Sequence, residues 1–530
     1  MIKEKFFARD LHLSILEKRI RDLKDGYRQN IAILGDELVG KTSLIFKFLS
    51  KFCDPKIIIL YLEARPETIS SFARRFIGVL LYNFLVNSAE PIKEDLEFLI
   101  NKSKKYIPQT TEKINTVLAA LEKRKKINII TELFSLCELI KCETGKSCVV
   151  IFDEFQNLEN LKVKNLYEEW SKSLIQQKNT MYIIISSQKY RAKNILAKNL
   201  SLLFGNFEII TVEPFDIKTS ERYLEKKFSS KQINPALTRF LIHFTGGYPF
   251  YLELISDAFL KNPQEKLEEV LEGLLFEPCG ALNQRFSTYL KRFLDSSESQ
   301  DYLSIIHLVS KGHNKIRDIA HLMRQPQKNL LLKINNLQEL DAISRSADFV
   351  AITDRVFSFW LKFVYQGKID SLTFDARNQR ELFLENIKGS INEFLINAQK
   401  PVAERIHELL KLFTDESIQI EKKRFRLSHF REIKPLDFNQ RNFNDGLIGR
   451  SNEALWIIAF KREVLTEEDI AEFARECKKY RHKLQRKIIV TNSDIETNAR
   501  LRALEEKILT WNINNLNQIL DLFSRPRIIV

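Results

Sequence analysis

Glycine is scarce in this chain of 530 residues, occurring 15 times. With so few flexible positions and a high content of Leu, Ile and Phe, the chain is expected to be mostly helical around buried strands. Six cysteines (Cys53, Cys137, Cys142, Cys148, Cys279 and Cys477) form no CxxC pair and no framework spacing. Scattered thiols of this kind exclude a zinc site and point to a reducing compartment. The first residues, MIKEKFFARDLHL, contain no continuous apolar stretch, and no run of about 18 apolar residues occurs elsewhere. The expectation is a cytoplasmic, soluble protein with no membrane partner. Internal repeats and low-complexity linkers are also missing, so domain boundaries must be taken from changes in pattern.

What is present begins with size. A chain this long exceeds one hydrophobic core, so roughly three or four domains are expected. Hydrophobic residues make up 44% and charged residues 29%, an ordinary globular balance. The formal net charge is +14. An excess of that size suits an anionic partner, nucleic acid being the commonest. It equally describes a Lys-rich soluble surface, because the charges are spread evenly.

Short runs rich in Ile and Val recur at Ile31–Leu34, Lys56–Leu62, Cys148–Phe152, Met181–Ile185 and Phe207–Val212, with helical sequence between them. That pattern predicts a parallel sheet buried on both faces. Residues 10–25 carry apolar positions at helical spacing, so a helix precedes the first strand. The interval from 66 to 147 is helical, an insertion between the second and third strands. Residues 216–285 predict helices only, broken at Gly246-Gly247 and Pro249.

Directly after the first run, residues 35–43 spell GDELVGKTS, which meets the spacing G-x-x-x-x-G-K-[ST] with Gly35, Gly40, Lys41 and Thr42. The glycines permit a tight turn whose N–H groups wrap a β-phosphate, and the following helix adds its dipole. Lys41 is expected to reach the β- and γ-phosphates, and the Thr42 hydroxyl to ligate Mg²⁺. Gly35, Asp36, Glu37, Leu38, Val39, Gly40, Lys41, Thr42 and Ser43 together form the expected ATP cradle. Asp36 and Glu37, beside a polyanion, must point away from it or toward a partner. CVVIFDEF at 148–155 supplies the carboxylates: Asp153 at a strand end to support Mg²⁺, and Glu154 to polarise the attacking water. Glu154 and Lys41 are the expected catalytic pair. MYIIISSQ ends in Ser186, Ser187 and Gln188, expected beside the γ-phosphate if its strand neighbours the first. Arg65, Arg74, Arg75 and Arg191 are available to stabilise charge, and the sequence does not rank them.

Together these motifs resemble the archaeal-type ATPases, relatives of the STAND and origin-recognition (Orc/Cdc6-like) AAA+ proteins. FFARDLHLSILEKRI at 6–20 is similar to their F-x-x-R-x-x-E-x-x-x-L lead-in, with Asp10 only approximating its acid. The likeness continues in order through GDELVGKTS, VVIFDEFQ and IIISSQ. It extends to SLLFGNF (201–207), ITVEPFD (210–216) and FTGGYPFYL (244–252), where Gly247 and Pro249 correspond to a motif of the helical lid. ITDRVFSFWLKFV (352–364) looks like their closing segment. The resemblance covers residues 1–365. It implies an ATP-binding switch with a P-loop core, a helical lid and a winged helix, the GGYP stretch closing over the base or sensing the nucleotide.

Residues 300–365 order a helix, a turn at Lys311-Gly312, two further helices and two short strands around Ile343 and Val350, the order of a winged helix-turn-helix. Its third helix carries Lys328, Asn329, Lys333, Asn335 and Asn336, types suited to phosphates and base edges. Glu339 and Asp341 close that helix, and DNA contact and a packing role both stay open. Residues 371–530 resemble a restriction-endonuclease-like domain of the PD-(D/E)xK type. The resemblance implies Glu404 as the helical acid, Asp445 as the aspartate and Lys461 as the lysine of a metal-dependent site. Ala459 stands where that site needs an acid, so a retained fold used for binding or scaffolding is expected over an active nuclease. The basic stretches KKRFR (422–426) and KKYRHKLQRK (478–487) suit nucleic acid or a solvated face.

The expected fold is therefore α/β: an ASCE-type P-loop parallel sheet over 1–215, a helical lid over 216–290, a winged helix over 291–370 and a nuclease-like domain over 371–530. The expected function is an ATP-binding, ATP-hydrolysing switch using ATP and Mg²⁺, coupled to its other modules on DNA, with a protein partner or with a second copy. Two alternatives stay open, an ATP-regulated metal-dependent DNA nuclease and a non-hydrolysing DNA-binding scaffold.

Overall fold

Each of the five apolar runs forms a strand in the computed structural model, which describes residues 6–86, 92–123, 128–200, 207–229, 234–262, 264–294, 299–370, 375–420, 423–438, 443, 445–480 and 484–529. Ser201–Asn206 of the SLLFGNF stretch, Lys422 and residues 481–483 of the basic stretches lie outside the described residues. The chain forms two compact units: Met1–Phe215 with Tyr248–Phe250 and Glu339–Asp341, and the rest.

The first unit runs α1 (Asp10–Lys24), β1 (Asn30–Leu34), α2 (Lys41–Lys51), β2 (Ile57–Glu63) and α3 (Ile69–Val86). It continues with α4 (Leu96–Ser103), α5 (Pro108–Glu122), α6 (Ile129–Thr144), β3 (Ser147–Asp153), α7 (Leu166–Gln176), β4 (Thr180–Ser186), α8 (Lys189–Lys198) and β5 (Phe207–Thr211). The sheet order is β2-β3-β4-β1-β5, and every pairing is parallel. β1, β3 and β4 are buried along their whole length, which is why they lack the polar alternation of a half-exposed strand. Because β4 separates β3 from β1, the carboxyl ends of all three converge on one edge beside the start of α2.

α3 to α6 are the helical insertion between β2 and β3. α3 has the length and composition of a membrane-crossing helix, but Phe72, Phe76, Ile77, Leu80 and Leu81 along it are fully buried in the core. There Phe134, Phe152, Trp170 and Tyr182 pack with ring centroids 5.4–5.9 Å apart. Burying each ring stabilises the unit by roughly 1.5–3 kcal/mol.

The second unit holds α9 (Ile217–Lys227), α10 (Pro235–Thr245), α11 (Pro249–Lys261, from Tyr251 onward), α12 (Leu267–Leu275) and α13 (Ala281–Leu294). Three helices and a hairpin follow: α14 (Ser299–Ser310), α15 (Ile316–Leu322), α16 (Gln327–Glu339), β6 (Ile343–Ser346) and β7 (Phe349–Ile352). Next come α17 (Arg355–Trp360), α18 (Gln366–Asp370), α19 (Ala376–Gln399), α20 (Val402–Leu410), β8 (Ser417–Ile420), β9 (Lys423–Arg426) and β10 (Glu432–Pro435). The last elements are β11 (Asp445–Arg450), β12 (Leu455–Lys461), α21 (Glu467–Lys478), β13 (Leu484–Thr491), α22 (Thr497–Glu505), β14 (Leu509–Asn512) and α23 (Ile513–Leu522).

Its main sheet has the order β10-β11-β12-β13-β14, antiparallel from β10 to β12 and parallel from β12 to β14. Sequence patterning identifies only the central strands LWIIAF and KIIV, since β10 and β14 are four residues long and partly polar. The β6–β7 hairpin is joined at its edge to the β8–β9 hairpin. Asp348 N donates to Ser417 O (3.2 Å), Ser417 N to the Asp348 carboxylate (2.8 Å) and Gln419 N to Ser346 Oγ (2.9 Å).

Candidate functional site

The loop after β1 is shaped by two glycines with different reasons. A Cβ on Gly35 would sit 2.2 Å from the Val212 carbonyl oxygen, because the chain leaving β5 passes this close to bond Leu34 (Val212 N to Leu34 O, 2.8 Å). Gly40 has open space around it but φ of +90°, which a side chain would strain. Gly40 ends the loop and begins α2 without a side-chain cap, so the first N–H groups of an 11-residue helix point into the loop. Of the other cradle residues, Val39 is buried, Asp36, Glu37 and Leu38 are half-buried and Ser43 is exposed. Arg9, from the lead-in, donates to the Val39 and Glu213 carbonyls and lies 5.0 Å over the Phe215 ring, which ties the start of the unit to the cradle.

Lys41 is 5% exposed, and its ammonium donates to the carbonyls of Gly35 (2.9 Å) and Asp36 (2.7 Å). Burial lowers its pKa, and the fields of Glu154, Asp153, Asp36 and Glu37 oppose that shift. A buried cation held only by neutral carbonyls retains strong affinity for an anion.

The Thr42 hydroxyl donates to Asp153 Oδ2 at 2.9 Å. The same oxygen accepts from Tyr61 Oη of β2 at 2.7 Å, and Asp153 Oδ1 accepts from Glu154 N at 3.0 Å. Burial first, then the Asp153 carboxylate, raises the Tyr61 pKa far above the usual phenol value, so Tyr61 stays a donor. Glu154 adopts φ of +50°, turning its side chain off the strand direction. Its Oε2 accepts from Ser187 N (3.0 Å), Ser187 Oγ (2.7 Å) and Gln156 Nε2 (2.7 Å).

β4 does pair with β1, and of its terminal polar residues Ser187 holds Glu154. Ser186 and Gln188 instead bond each other (Gln188 N to Ser186 Oγ, 3.0 Å). The four arginines all pair with carboxylates: Arg65 and Arg75 with Glu67, Arg74 with Glu122, Arg191 with Glu159. Asp36 turns toward partners, an ion pair with Lys189 at 2.7 Å and a bond from Tyr248 Oη at 3.2 Å. Asp341 lies in the same polar shell with φ of +54°. Burial pushes its carboxyl up to about 7, Lys189 opposes the shift and Asp36 adds to it.

Sequence patterning misses Tyr61, Gln156, Lys189 and Asp341 as members of this site. Tyr248, in GGYP, and Lys189, directly after SSQ, at least neighbour recognised motifs.

Residues 6–255 match the family model described as an ATPase domain predominantly from Archaea. No curated protein sequence matches the chain. Among solved structures, the chain is similar to a Walker-type ATPase of Pyrococcus abyssi at 19% identity, covering 68% of this chain and 97% of that one with a TM-score of 0.48. It is also similar to the ORC2 protein of Aeropyrum pernix in its ADPNP-ADP complexes, at 11% identity over 70% and 98% of the two chains with a TM-score of 0.42. A third similarity is to the ORC1 protein of Aeropyrum pernix in complex with DNA, at 11% identity over 68% and 93% with a TM-score of 0.34.

The donor set of the cradle fits a nucleotide and its metal ion. The uncapped start of α2 and the Lys41 ammonium can take phosphate oxygens. The Thr42 hydroxyl and Asp153 carboxylate are oxygen ligands of the kind a hard divalent cation takes.

In the second unit the nuclease-type residues are arranged otherwise. Lys461 is 9% exposed and paired with Asp469 of α21 at 2.7 Å, itself 2% exposed. Asp445 is exposed at the start of β11, and Glu404 is exposed beside Lys400 at 4.0 Å. Ala459 is fully buried in an apolar cluster with Ile457 and Phe473. No group of three or more potential metal ligands occurs among the described residues. On α16, Lys333 is taken by Asp301 and Gln325, and Asn336 donates to Tyr302 Oη at 3.0 Å. Lys328, Asn329 and Asn335 remain exposed.

Proposed function

We propose that this protein is an ATP-binding, ATP-hydrolysing switch. One observation carries the proposal: Glu154 is held by Ser187 at the same sheet edge where Thr42 bonds Asp153 and Lys41 lies buried on carbonyls. Lys41 would exchange its Gly35 and Asp36 carbonyls for β- and γ-phosphate oxygens, and the α2 N-terminus would take the β-phosphate. Thr42 and Asp153 would hold Mg²⁺, which when bound neutralises phosphate charge. Ser187 and Gln156 occupy Glu154 Oε2, leaving Oε1 to orient a water and accept its proton. Asp36 stays clear of the phosphates because Lys189 and Tyr248 hold it outward.

In the same proposal residues 1–215 are the P-loop core, 216–290 a helical lid and 291–370 a winged helix, supported by the order α14, α15, α16, β6, β7. Residues 371–530 form a nuclease-like domain that binds or scaffolds without cutting. The mixed sheet supports that fold, and the Lys461–Asp469 pair disfavours cutting, because it spends the lysine internally. DNA is the partner we favour for the basic surface, with a protein partner or second copy as the other mode, in a cytoplasmic setting. On α16, DNA contact would rest on Lys328, Asn329 and Asn335, since Lys333 and Asn336 serve the fold.

The test is ATP turnover by wild type and Glu154→Gln, with and without DNA. Turnover should fall by roughly 100-fold or more in the variant while nucleotide binding persists. Nucleotide binding by wild type with no turnover under any condition would leave the non-hydrolysing scaffold standing.

A further inference from the structure

The second unit contains a cavity of about 400 Å³ at the carboxyl ends of β12 and β13, walled on one side by the chain segment after α23. Its charged lining is one-sided: Arg239, Lys400, Arg405, Lys461 and Arg462 face a single acid, Asp445. Among those cations, Lys461 is paired with Asp469 and Lys400 with Glu408. Arg405 differs. It is 4% exposed, and its guanidinium donates to the carbonyls of Asn397 (3.1 Å) and Pro526. No carboxylate makes an ion pair with it among the described residues. Burial works against its charge, Glu408 and Glu393 assist from farther off, and Arg525 repels it.

A guanidinium keeps its proton at neutral pH, so a buried one without a counter-ion is held at a cost that an arriving anion would relieve. α20 adds to this. It starts at the cavity wall with Pro401, Val402 and Ala403, and no side chain caps its first turn. Several guanidinium groups around a helix start suit an anion with several oxygens, as phosphate is. The rest of the wall is apolar, with Phe460 and Ile528 among its residues, and the volume lies in the range of small-molecule sites.

We propose that this cavity binds a phosphorylated small molecule of mononucleotide size, its phosphate toward Arg405, Arg239 and Arg462 and its ring against Phe460 and Ile528. The cation excess separates this site from a metal-dependent cleavage centre, which would need carboxylates where the arginines stand. The proposal rests on neither ATP binding nor ATP hydrolysis at the cradle.

The experiment is isothermal titration of the full chain carrying Lys41→Met, which removes the cradle as a competing site, with UMP, uridine and inorganic phosphate. UMP should bind one site per chain, and uridine should bind about tenfold more weakly or worse. Arg239→Ala with Arg462→Ala should weaken UMP by roughly tenfold or more with unchanged thermal melting. Arg405→Gln should weaken it as well. Absence of UMP binding at millimolar concentration, or equal affinity for uridine, would overturn the proposal. So would a double variant that binds like its parent, or Mn²⁺ binding lost in Asp445→Asn. Binding of a 5′-phosphorylated oligonucleotide but not UMP would also overturn it, in favour of a nucleic-acid end.

Discussion

Two buried lysines, one in each unit, lie at the carboxyl edge of a sheet in opposite electrostatic company. Lys41 is held by the Gly35 and Asp36 carbonyls, with carboxylates acting only through their fields. Lys461 is clamped to Asp469, and that carboxylate is further held by Thr466 N and Oγ1, each at 2.9 Å. A carbonyl is a weak partner for an ammonium and is readily exchanged for a phosphate oxygen. A buried carboxylate is a strong one, and separating the pair exposes both desolvation penalties. Burial and residue type are the same in the two places; the nature of the partner differs, and on the proposed reading it decides which lysine is available to a ligand and which serves the fold.

The largest effect is expected at the second lysine, on stability. Lys461→Met leaves Asp469 buried without a counter-ion, and the folded state should lose about 3–5 kcal/mol. Adding Asp469→Leu should recover most of it, because the uncompensated charge is then gone. Thermal and urea unfolding of the single and double variants measure this. A single variant as stable as wild type would mean that Lys461 is as loosely held as Lys41, and the contrast would collapse.

The matching change at the first lysine should act on binding instead. On the proposed reading, Lys41→Met removes the ammonium that would meet the phosphate oxygens, and it should weaken ATP by roughly 100-fold. Without nucleotide the variant should melt at the wild-type temperature or above, since only a desolvated cation on carbonyls has been removed. Equilibrium binding of an ATP analogue and nucleotide-free melting check the two halves. A large loss of nucleotide-free stability would show that the carbonyls bind Lys41 as firmly as a carboxylate would.

The contrast was only half legible in the sequence. GDELVGKTS after an apolar run is a local pattern, so the cradle, Lys41, Thr42 and the strand ending in Asp153-Glu154 could all be located from spacing. That Asp36 turns away or toward a partner is also expected locally, since the proposed ligand is a polyanion. Its partners are not, because Lys189 and Tyr248 are more than 150 residues away along the chain and the strand order β2-β3-β4-β1-β5 brings Lys189 close. Tyr61 is hidden for the same reason: an aromatic in an apolar strand looks like core until β2 lies beside β3. At the second lysine the motif pattern gives only part of the surroundings. Ala459 signalled a missing acid, but the partner that spends Lys461 is Asp469, eight residues on at the start of α21. There the capping box with Thr466 gives Asp469 a local role. The insertion α3–α6 was visible as helical sequence, whereas the short strands β10 and β14 carry too few residues for a period-2 pattern to emerge.

The smallest effect concerns a charge whose compensation is shared. Lys189 is already paired with Asp36, and Asp341 Oδ2 has no hydrogen-bond partner among the described residues. Burial pushes the Asp341 carboxyl from its ordinary value near 3.8 up to about 7, and Lys189 opposes that shift only in part. The folded state then holds this proton more tightly than the unfolded chain does. The associated stability is complete below the unfolded value and is lost as pH rises through the folded one, the reverse of a salt-bridged aspartate. Asp341→Asn keeps the shape and tolerates the positive φ, but cannot ionise. It should gain on the order of 1–3 kcal/mol over wild type at pH 8 and almost nothing at pH 4. Melting temperatures at pH 4, 6 and 8 measure the difference. A difference independent of pH would mean that Asp341 does not change its protonation on folding over this range, and that incomplete compensation around the cradle is confined to Lys41.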